Sequence, residues 1–464
     1  MATRAWLSAA FRTSIALVRH VRTSTGLKAE IVRGAAGVVM VRGGGALLAL
    51  GSAVLPARLL GPEEFGIYSF ILAMAMLLVV PVQFGLPSLL MRETARAEVE
   101  ENWARMKGLW QWADRVAVVA SVVLLTLAWF IWPLVKGAMP PGAAPGAAFA
   151  WGLVLVPLMG LLGLREAALQ GLRKVVQALL AAHVFRPALF IFLLGSVLVL
   201  TGRDLSAMVV VAVQAVAVAA AFVLGTSLRM RAKPSAVSGS LRGERNGRTW
   251  IKAVLPLAFI TGTWVIVAQT DKIMLGLLAE PAEVGLYAAA DRGATVVSFG
   301  LMLVGAVVSP YFARLHAQGD KQRLHALLNR ATLAATALAL PPFIAFVLWG
   351  EAIVTFAFGA AFAPASLPLA FLAAGQMGTA LVGLAGPLLA MAGFERDIAR
   401  RAPVAALANA ALNLILIPPF GAAGAAVATM TTLIVWGLLL RQMVCTHLGI
   451  GWGRRDGGCR IQKK

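Results

Sequence analysis

Long apolar stretches separated by short polar turns run through almost the whole chain. About 20 apolar residues are enough to cross a bilayer as a helix, and twelve such stretches can be read from the sequence. They cover residues 35–60, 66–90, 116–135, 147–164, 176–200, 205–228, 251–277, 285–312, 331–349, 367–391, 403–420 and 422–444. The pattern predicts an all-α polytopic membrane protein.

One turn between apolar stretches occurs twice, at corresponding places in the two halves of the chain. The two copies read PEEFGIY at 62–68 and PAEVGLY at 281–287. Each begins with a helix-stopping proline and contains a glycine and an interfacial tyrosine, which suits a tight turn at a membrane surface. The recurrence indicates a duplicated chain. Because each half has an even number of spans, we expect two parallel six-helix lobes with the substrate between them.

A hydrophilic connector between the sixth and seventh spans marks the boundary between the predicted lobes. We expect a cytoplasmic basic lead containing an interfacial helix, two lobes, a basic linker and a basic tail. The lead covers residues 1–34, the first lobe 35–228, the linker 229–250, the second lobe 251–444 and the tail 445–464.

Composition supports a membrane protein and excludes several other classes. The chain is 60% hydrophobic and 13% charged, and its mean hydropathy is +0.83. A net charge of +21 would suit nucleic-acid binding only if the basic residues shared one soluble face. They lie instead in the lead, the alternate loops and the tail, which places both termini in the cytoplasm. Because of this distribution we expect no nucleic-acid partner. The two cysteines lack a nearby histidine cluster, so we expect no metal site.

Ionisable residues inside the predicted spans are the main candidates for function. Each costs roughly 2.5 to 3.5 kcal/mol if it faces lipid, so all are expected to face water, a polar cavity or one another. These residues are Arg42, Arg186, Asp271, Lys272, Asp291 and Arg292. The predicted topology places Arg42 in the inner half of the membrane, Arg186 near its middle, and the other four in one outer layer. Together they form a predicted column of positive charge with two carboxylates near its outer part.

Two interpretations of the polar residues remain open. Asp271 or Asp291 can pair with Lys272 or Arg292 to hold helices together, or the carboxylates can exchange these partners for a coupling ion. Uncharged polar residues in the spans can line a cavity or form hydrogen bonds between helices. These are Gln83, Gln214, Gln269, Gln376, Asn409 and Asn413.

Several short motifs in order resemble one known family. The first half contains ARLLGPEEFGIY at 57–68, FGL at 84–86 and MRE at 91–93. The second half contains DKIMLG at 271–276, EVGLY at 283–287, ADR at 290–292, NLILIP at 413–418 and GAAGAA at 421–426. Together these motifs resemble bacterial polysaccharide-biosynthesis flippases of the multidrug/oligosaccharidyl-lipid/polysaccharide exporter superfamily, over roughly residues 35–445.

The resemblance implies a V-shaped pair of lobes that flips a polyprenyl-pyrophosphate-linked oligosaccharide to the outer leaflet by alternating access. It implies a multi-pass protein of the bacterial inner membrane, without catalytic residues or a cofactor, whose partners include membrane lipids, a glycan polymerase and assembly proteins. The cationic lumen would consist of Arg42, Arg186, Lys272 and Arg292. Proton or sodium coupling would involve Asp271 and Asp291, and the polar lumen would include Gln83, Gln269, Asn409 and Asn413.

One position departs from the family pattern. Related sequences often carry Asp before the FGL motif, where this chain carries Gln83. The substitution argues against a cation site at the end of the second span.

Three other functions fit a chain of this kind less well. A multidrug or cation exporter of the same superfamily would need a lumen dominated by carboxylates, whereas basic candidates here outnumber acidic ones. A membrane polymerase or ligase would need outer loops large enough for a catalytic surface, and the predicted outer loops are short. A scaffold that only recruits glycan-assembly proteins would not need charges inside the membrane.

Overall fold

The protein is helical throughout the part of the chain that the structure describes, and no strand occurs there. The computed structural model describes residues 27–138, 146–202, 205–234, 243–244 and 247–451. The predicted interfacial helix of the lead, much of the predicted linker and most of the predicted tail lie outside these residues. Nine helical stretches within them are long and apolar enough to cross a membrane.

The described residues of the first half form seven helices. They are α1 (27–60), α2 (62–83), α3 (Leu86–Val99), α4 (Trp103–Ala138), α5 (Gly146–Gly171), α6 (Val175–Thr201) and α7 (Ala207–Ala232). The first two form the continuous stretch Leu27–Gln83, which Gly61 divides with a φ of 73°. Helix α3 is a short helix beyond the second span.

The second half repeats this plan. Its helices are α8 (Gly247–Leu278), α9 (Pro281–Ala317), α10 (Lys321–Phe358), α11 (Ser366–Val382), α12 (Ala385–Met391), α13 (395–420) and α14 (422–448). The last two form Glu395–Leu448, which Gly421 divides with a φ of 53°. All twelve predicted spans therefore fall on helices, and the predicted all-α membrane fold is confirmed.

Two predicted spans are interrupted. The second ends at Gln83, because Phe84 and Gly85 adopt φ values of 40° and 72° before α3 begins. A Cβ at Gly85 would lie 2.5 Å from the backbone nitrogen of Ala258 in α8, so close packing between the halves requires glycine there. The tenth is divided into α11 and α12 next to Gly383, whose φ is 88°.

The two copies of the repeated turn contact each other. A Cβ at Gly66 would collide with the carbonyl oxygen of Pro281, and a Cβ at Gly285 would collide with that of Pro62. Each glycine thus lets its helix approach the proline of the other copy. This contact closes one end of the bundle, which we name the repeat end.

The repeat glutamates link this contact to the last helix of each half. Glu64 Oε2 accepts a hydrogen bond of 2.5 Å from the backbone N–H of Ala207 at the start of α7. Glu283 Oε2 accepts one of 2.6 Å from the N–H of Ala422 at the start of α14. A carboxylate at a helix N-terminus satisfies a free donor and the positive end of the helix dipole. The duplication is therefore preserved in hydrogen bonding as well as in sequence.

Further contacts between the halves reinforce the repeat end. The guanidinium of Arg58 donates to the carbonyl oxygens of Ala357, at 2.6 Å, and of Phe356, in the last turn of α10. The Phe65 and Phe362 rings meet edge to face, 5.9 Å apart. Interior positions elsewhere hold mostly small and aliphatic side chains, which allow helices to pack closely in a membrane.

Candidate functional site

A cavity of about 160 Å³ lies between the two halves, next to the repeat contact. Helices α1, α2, α5, α6 and α7 form one wall, and α8 and α9 form the other. Three predicted cations line it, namely Arg186 on the first wall and Lys272 and Arg292 on the second. The structure thus brings together residues that are far apart in the sequence.

Arg186 reaches the cavity from an irregular part of α6. Residues Leu180–Phe185 form a π-helical turn, and the regular helix resumes at Arg186 with Pro187 in its first turn. A π-helical turn changes the direction of the side chains that follow, and such turns are frequent at functional sites. The Arg186 side chain is half-buried.

Lys272 and Asp291 form an ion pair, which is one of the four pairings that the sequence left open. Lys272 Nζ lies 2.8 Å from Asp291 Oδ2, and the two side chains are 12% and 39% exposed. The pair connects α8 to α9 at the edge of the cavity. It also neutralises one of the three cavity cations.

Neither Arg186 nor Arg292 has a hydrogen bond or an ion pair with any residue that the structure describes. They face the cavity from opposite halves of the protein. Two guanidinium groups that have no direct ion-pair contact repel each other and favour an anion between them. Their planar donor groups match the oxygens of a phosphate group.

Asp271 lies beside Lys272 in α8 but is not among the residues that line the cavity. It is buried and accepts hydrogen bonds from Tyr287 Oη (2.5 Å), Asn413 Nδ2 (2.6 Å) and Thr429 Oγ1 (2.6 Å). Successive helix residues point about 100° apart, so Asp271 faces α13 and α14 while its neighbour Lys272 faces the cavity.

These four side chains form a buried polar cluster, which we name the Asp271 network. Asn409 extends it, because Asn413 Nδ2 lies 3.1 Å from Asn409 Oδ1. Asn413 Oδ1 is buried without a hydrogen-bond partner in the described structure. The network therefore offers carboxylate, amide and hydroxyl oxygens, the ligands that hard cations prefer. No group of three or more His, Cys, Asp or Glu side chains that could hold a metal occurs within the described ranges.

The remaining predicted site residues lie in different places. Gln269 lines the cavity, as does Gln214. Arg42 is exposed and is not part of the lining. Gln83 borders a separate pocket of about 280 Å³ between α2, α3 and α5, with Glu166 on its far side. Asn409 and Asn413 belong to the Asp271 network and not to the cavity.

Several polar residues of the site were not identified from the sequence. Tyr68 lines the cavity, whereas Tyr287 and Thr429 belong to the Asp271 network. A signal for the tyrosines was present, because the chain has only 3 and the repeated turn contains two of them. Thr429 lies in an apolar helix and gave no comparable signal.

Comparisons with known proteins agree with this architecture. The family model described as "Polysaccharide biosynthesis protein" matches residues 31–316. A probable low-salt glycan biosynthesis flippase, Agl15 of Haloferax volcanii, is 25% identical over 165 residues, which is 36% of this chain and 35% of that protein. The match therefore spans about a third of the length of that relative.

Two solved transporter structures share the fold. The lipid II flippase MurJ in an inward closed conformation superposes with a TM-score of 0.72 at 14% identity, covering 88% of this chain and 87% of MurJ. An inward-facing multidrug resistance transporter of the MATE family gives a TM-score of 0.66 at 13% identity, with 86% and 93% coverage. The likeness shows that the two halves form a V-shaped pair of lobes.

Proposed function

Because the chain belongs to the polysaccharide biosynthesis protein family, we propose that it is a flippase for a polyprenyl-pyrophosphate-linked oligosaccharide. It moves the glycan from the cytoplasmic to the outer leaflet of a bacterial inner membrane by alternating access. Both termini lie in the cytoplasm, and a glycan polymerase and other assembly proteins use the product. The flippase relative Agl15 supports the substrate class.

The observation that carries this proposal is the pair of cavity guanidinium groups that have no ion-pair contact with any described residue. Arg186 and Arg292 lie on opposite lobes and line the same small space. A pyrophosphate carries two or more negative charges and only accepts hydrogen bonds, so it complements two arginines well. A lipophilic cation, the substrate expected of a multidrug exporter, would be repelled there.

Binding between the lobes connects the anion to the transport movement. In the described structure the repeat end is closed by the glycine contacts and by Arg58. An anion held by both arginines draws the lobes together around it, and rocking of the lobes then opens the repeat end. The lipid tail remains in the bilayer. Arg42, exposed on α1, acts before the cavity by attracting the headgroup to the membrane surface.

The membrane potential favours this direction of transport. Moving a dianion outward against an inside-negative potential gains about 4.6 kcal/mol per 100 mV, from about 2.3 per charge. A further contribution can come from ion coupling. Asp271 is the better of the two candidates, because Asp291 is already paired with Lys272, whereas Asp271 has only neutral hydrogen-bond donors among the described residues. A proton or a sodium ion bound there would neutralise it.

Reconstitution in proteoliposomes tests the proposal. A fluorescent polyprenyl-pyrophosphate-linked oligosaccharide is added to one leaflet, and its appearance in the other is followed with and without a membrane potential. We expect Arg186→Ala and Arg292→Ala each to slow flipping by at least about tenfold, the loss of one charge-assisted interaction. Arg400→Ala is the control, because Arg400 is 81% exposed and outside the cavity.

Flipping at the wild-type rate by the double variant Arg186→Ala/Arg292→Ala would contradict the proposal. So would transport of a lipophilic cation by the wild-type protein without any transport of the lipid-linked glycan.

A further inference from the structure

The internal duplication allows the Asp271 network to be compared with its counterpart in the first lobe. Aligning PEEFGIY with PAEVGLY places Ser52 opposite Asp271 and Tyr68 opposite Tyr287. The capping glutamates align the last helices, because Ala207 and Ala422 hold equivalent N–H groups. Gln214 and Thr429 each lie seven residues beyond these alanines and are therefore equivalent.

The equivalent residues have different surroundings in the two lobes. In the second lobe Tyr287 and Thr429 donate to Asp271, and the three side chains satisfy one another. In the first lobe Ser52, Tyr68 and Gln214 all line the central cavity. The duplicated site has thus become open to the substrate in one lobe and closed in the other.

The first-lobe residues face the cavity with unused hydrogen-bonding groups. Tyr68 is only 5% exposed, and its ring stacks on Phe190 with centroids 6.5 Å apart, which fixes its position. Neither the Tyr68 hydroxyl nor the Gln214 amide has a hydrogen-bond partner among the described residues. A buried polar group in a binding cavity normally finds its partner in water or ligand. Both groups are therefore available to a substrate.

Ser52 indicates which kind of ligand fits. Its hydroxyl donates to the carbonyl oxygen of Ala49 at 2.8 Å, so its oxygen has only lone pairs left for the cavity. While this bond is kept, the oxygen can only accept, which favours a ligand that donates. An ionised pyrophosphate has no proton to donate, whereas a sugar hydroxyl or acetamido group both donates and accepts. The Gln214 amide and the Tyr68 hydroxyl can each donate and accept a hydrogen bond, so both suit such a ligand.

We propose that Ser52, Tyr68 and Gln214 form a neutral subsite for the sugar attached to the pyrophosphate. This inference rests on the proposed function, and it gives a role to cavity residues that do not bind the pyrophosphate. Arg186 and Arg292 both lie close enough to Tyr68 to interact with it electrostatically, so the subsite adjoins the anion site. Ser52 is uncharged where the second lobe has Asp271, and this suits the subsite because a carboxylate in the cavity would repel the pyrophosphate.

Binding of two matched probes tests the subsite. One probe is farnesyl diphosphate, and the other is farnesyl diphosphate carrying one glucose, galactose or N-acetylglucosamine residue. Dissociation constants are measured for the purified full-length protein in nanodiscs. We expect at least one sugar to raise the affinity of the wild-type protein by about tenfold. Tyr68→Phe, Gln214→Leu and Ser52→Ala are each expected to reduce this sugar-dependent gain by about fivefold, the effect of one neutral hydrogen bond.

Matched controls separate the subsite from general effects. Tyr311→Phe and Gln442→Leu remove the same groups from exposed positions outside the cavity, and we expect them to leave the gain unchanged. Arg186→Ala should weaken the binding of both probes to the same extent, so that the affinity gained from the sugar is retained. Tyr68→Phe removes a single oxygen and keeps the ring that stacks on Phe190, so we expect this variant to fold.

The possible results distinguish the two proposals. If no sugar raises affinity, or if the gain persists in Tyr68→Phe and Gln214→Leu, the subsite is wrong while pyrophosphate binding still supports the flippase. If both variants weaken the two probes equally, these residues contact the pyrophosphate and the sugar subsite is wrong. If neither probe binds the wild-type protein, both proposals fail.

Discussion

Asp271 and Lys272 are neighbours in the sequence, but their side chains serve different parts of the protein. Lys272 faces the cavity and pairs with Asp291, whereas Asp271 is enclosed by Tyr287, Asn413 and Thr429. A buried carboxylate needs hydrogen bonds from its neighbours, and Asp271 has three. The same residue type thus pairs with a cavity cation at one position and accepts hydrogen bonds from neutral donors at the other.

A first prediction concerns Asp271. We expect Asp271→Asn to remove any dependence of flipping on a sodium or proton gradient, while the component driven by membrane potential remains, because the amide cannot change charge. Flipping by proteoliposomes with each gradient applied separately measures both components. Asp291→Asn is the matched comparison and should keep the gradient dependence. If Asp271→Asn still responds to the gradients as the wild-type protein does, the ion-coupling role is wrong.

A second prediction concerns the Lys272–Asp291 pair. Lys272→Met leaves Asp291 without its partner at the cavity edge, where the carboxylate competes with the pyrophosphate for the arginines. We expect flipping to fall by about tenfold, and the double variant Lys272→Met/Asp291→Asn to recover to within about threefold of the wild-type rate. A double variant as slow as the single one would show instead that Lys272 binds the substrate directly.

Helix ends, more than helix interiors, carry the duplication. The repeated turn supplies both the glycines at the contact between the lobes and the glutamates that cap α7 and α14. A helix that begins within an apolar environment has few alternatives for its free N–H groups. Glu64 and Glu283 therefore fix where the last helix of each lobe begins.

A third prediction follows for these caps. Glu64→Ala and Glu283→Ala should each lower the free energy of unfolding by about 1 to 2 kcal/mol, through loss of the cap and of its favourable charge. The corresponding Gln variants retain an acceptor oxygen and should lose less. Thermal unfolding in detergent, followed by the fluorescence of the many tryptophans, gives the comparison. Equal stability of the Ala variants and the wild-type protein would exclude a capping role.

At the scale of the whole molecule, two lobes of similar fold carry different chemistry. Both lobes contribute an arginine to the cavity, but at one aligned position the first lobe has Ser52, which lines the cavity, and the second has Asp271, which is buried in its network. The lobes meet at the repeat end, where Arg58 of the first lobe donates to the last carbonyl groups of α10 in the second. Separation of the lobes at that end would break both hydrogen bonds.

A fourth prediction tests the Arg58 contact. Arg58→Ala should increase the population that is open at the repeat end by about tenfold, since a charge-assisted hydrogen bond across the closed interface is lost. Distances between spin labels at Val199 and Phe356, in a background without Cys445 and Cys459, measure the opening. Arg323→Ala, at a position 79% exposed, is the control. An unchanged distance distribution in Arg58→Ala would show that the contact does not hold the end closed.

The sequence by itself determined the spans, the duplication, the lobed helical fold and the charges worth considering. It could do so because hydropathy, helix-ending prolines and turn glycines act locally and are visible in short stretches of chain. Only the tertiary structure decided that Arg42 lies outside the cavity, that Gln83 borders another pocket, and that Asn409 and Asn413 join Asp271.

The physical reason is that a membrane helix is apolar on both its lipid-facing and its protein-facing sides. Its periodicity therefore contains little information about its rotation, which the packing against neighbouring helices sets instead. This rotation turns Asp271 towards Asn413 and Thr429 and turns Tyr68 and Gln214 towards the central cavity. The duplicated turn was readable from the sequence, and the divergence of its two sites became visible only in the folded protein.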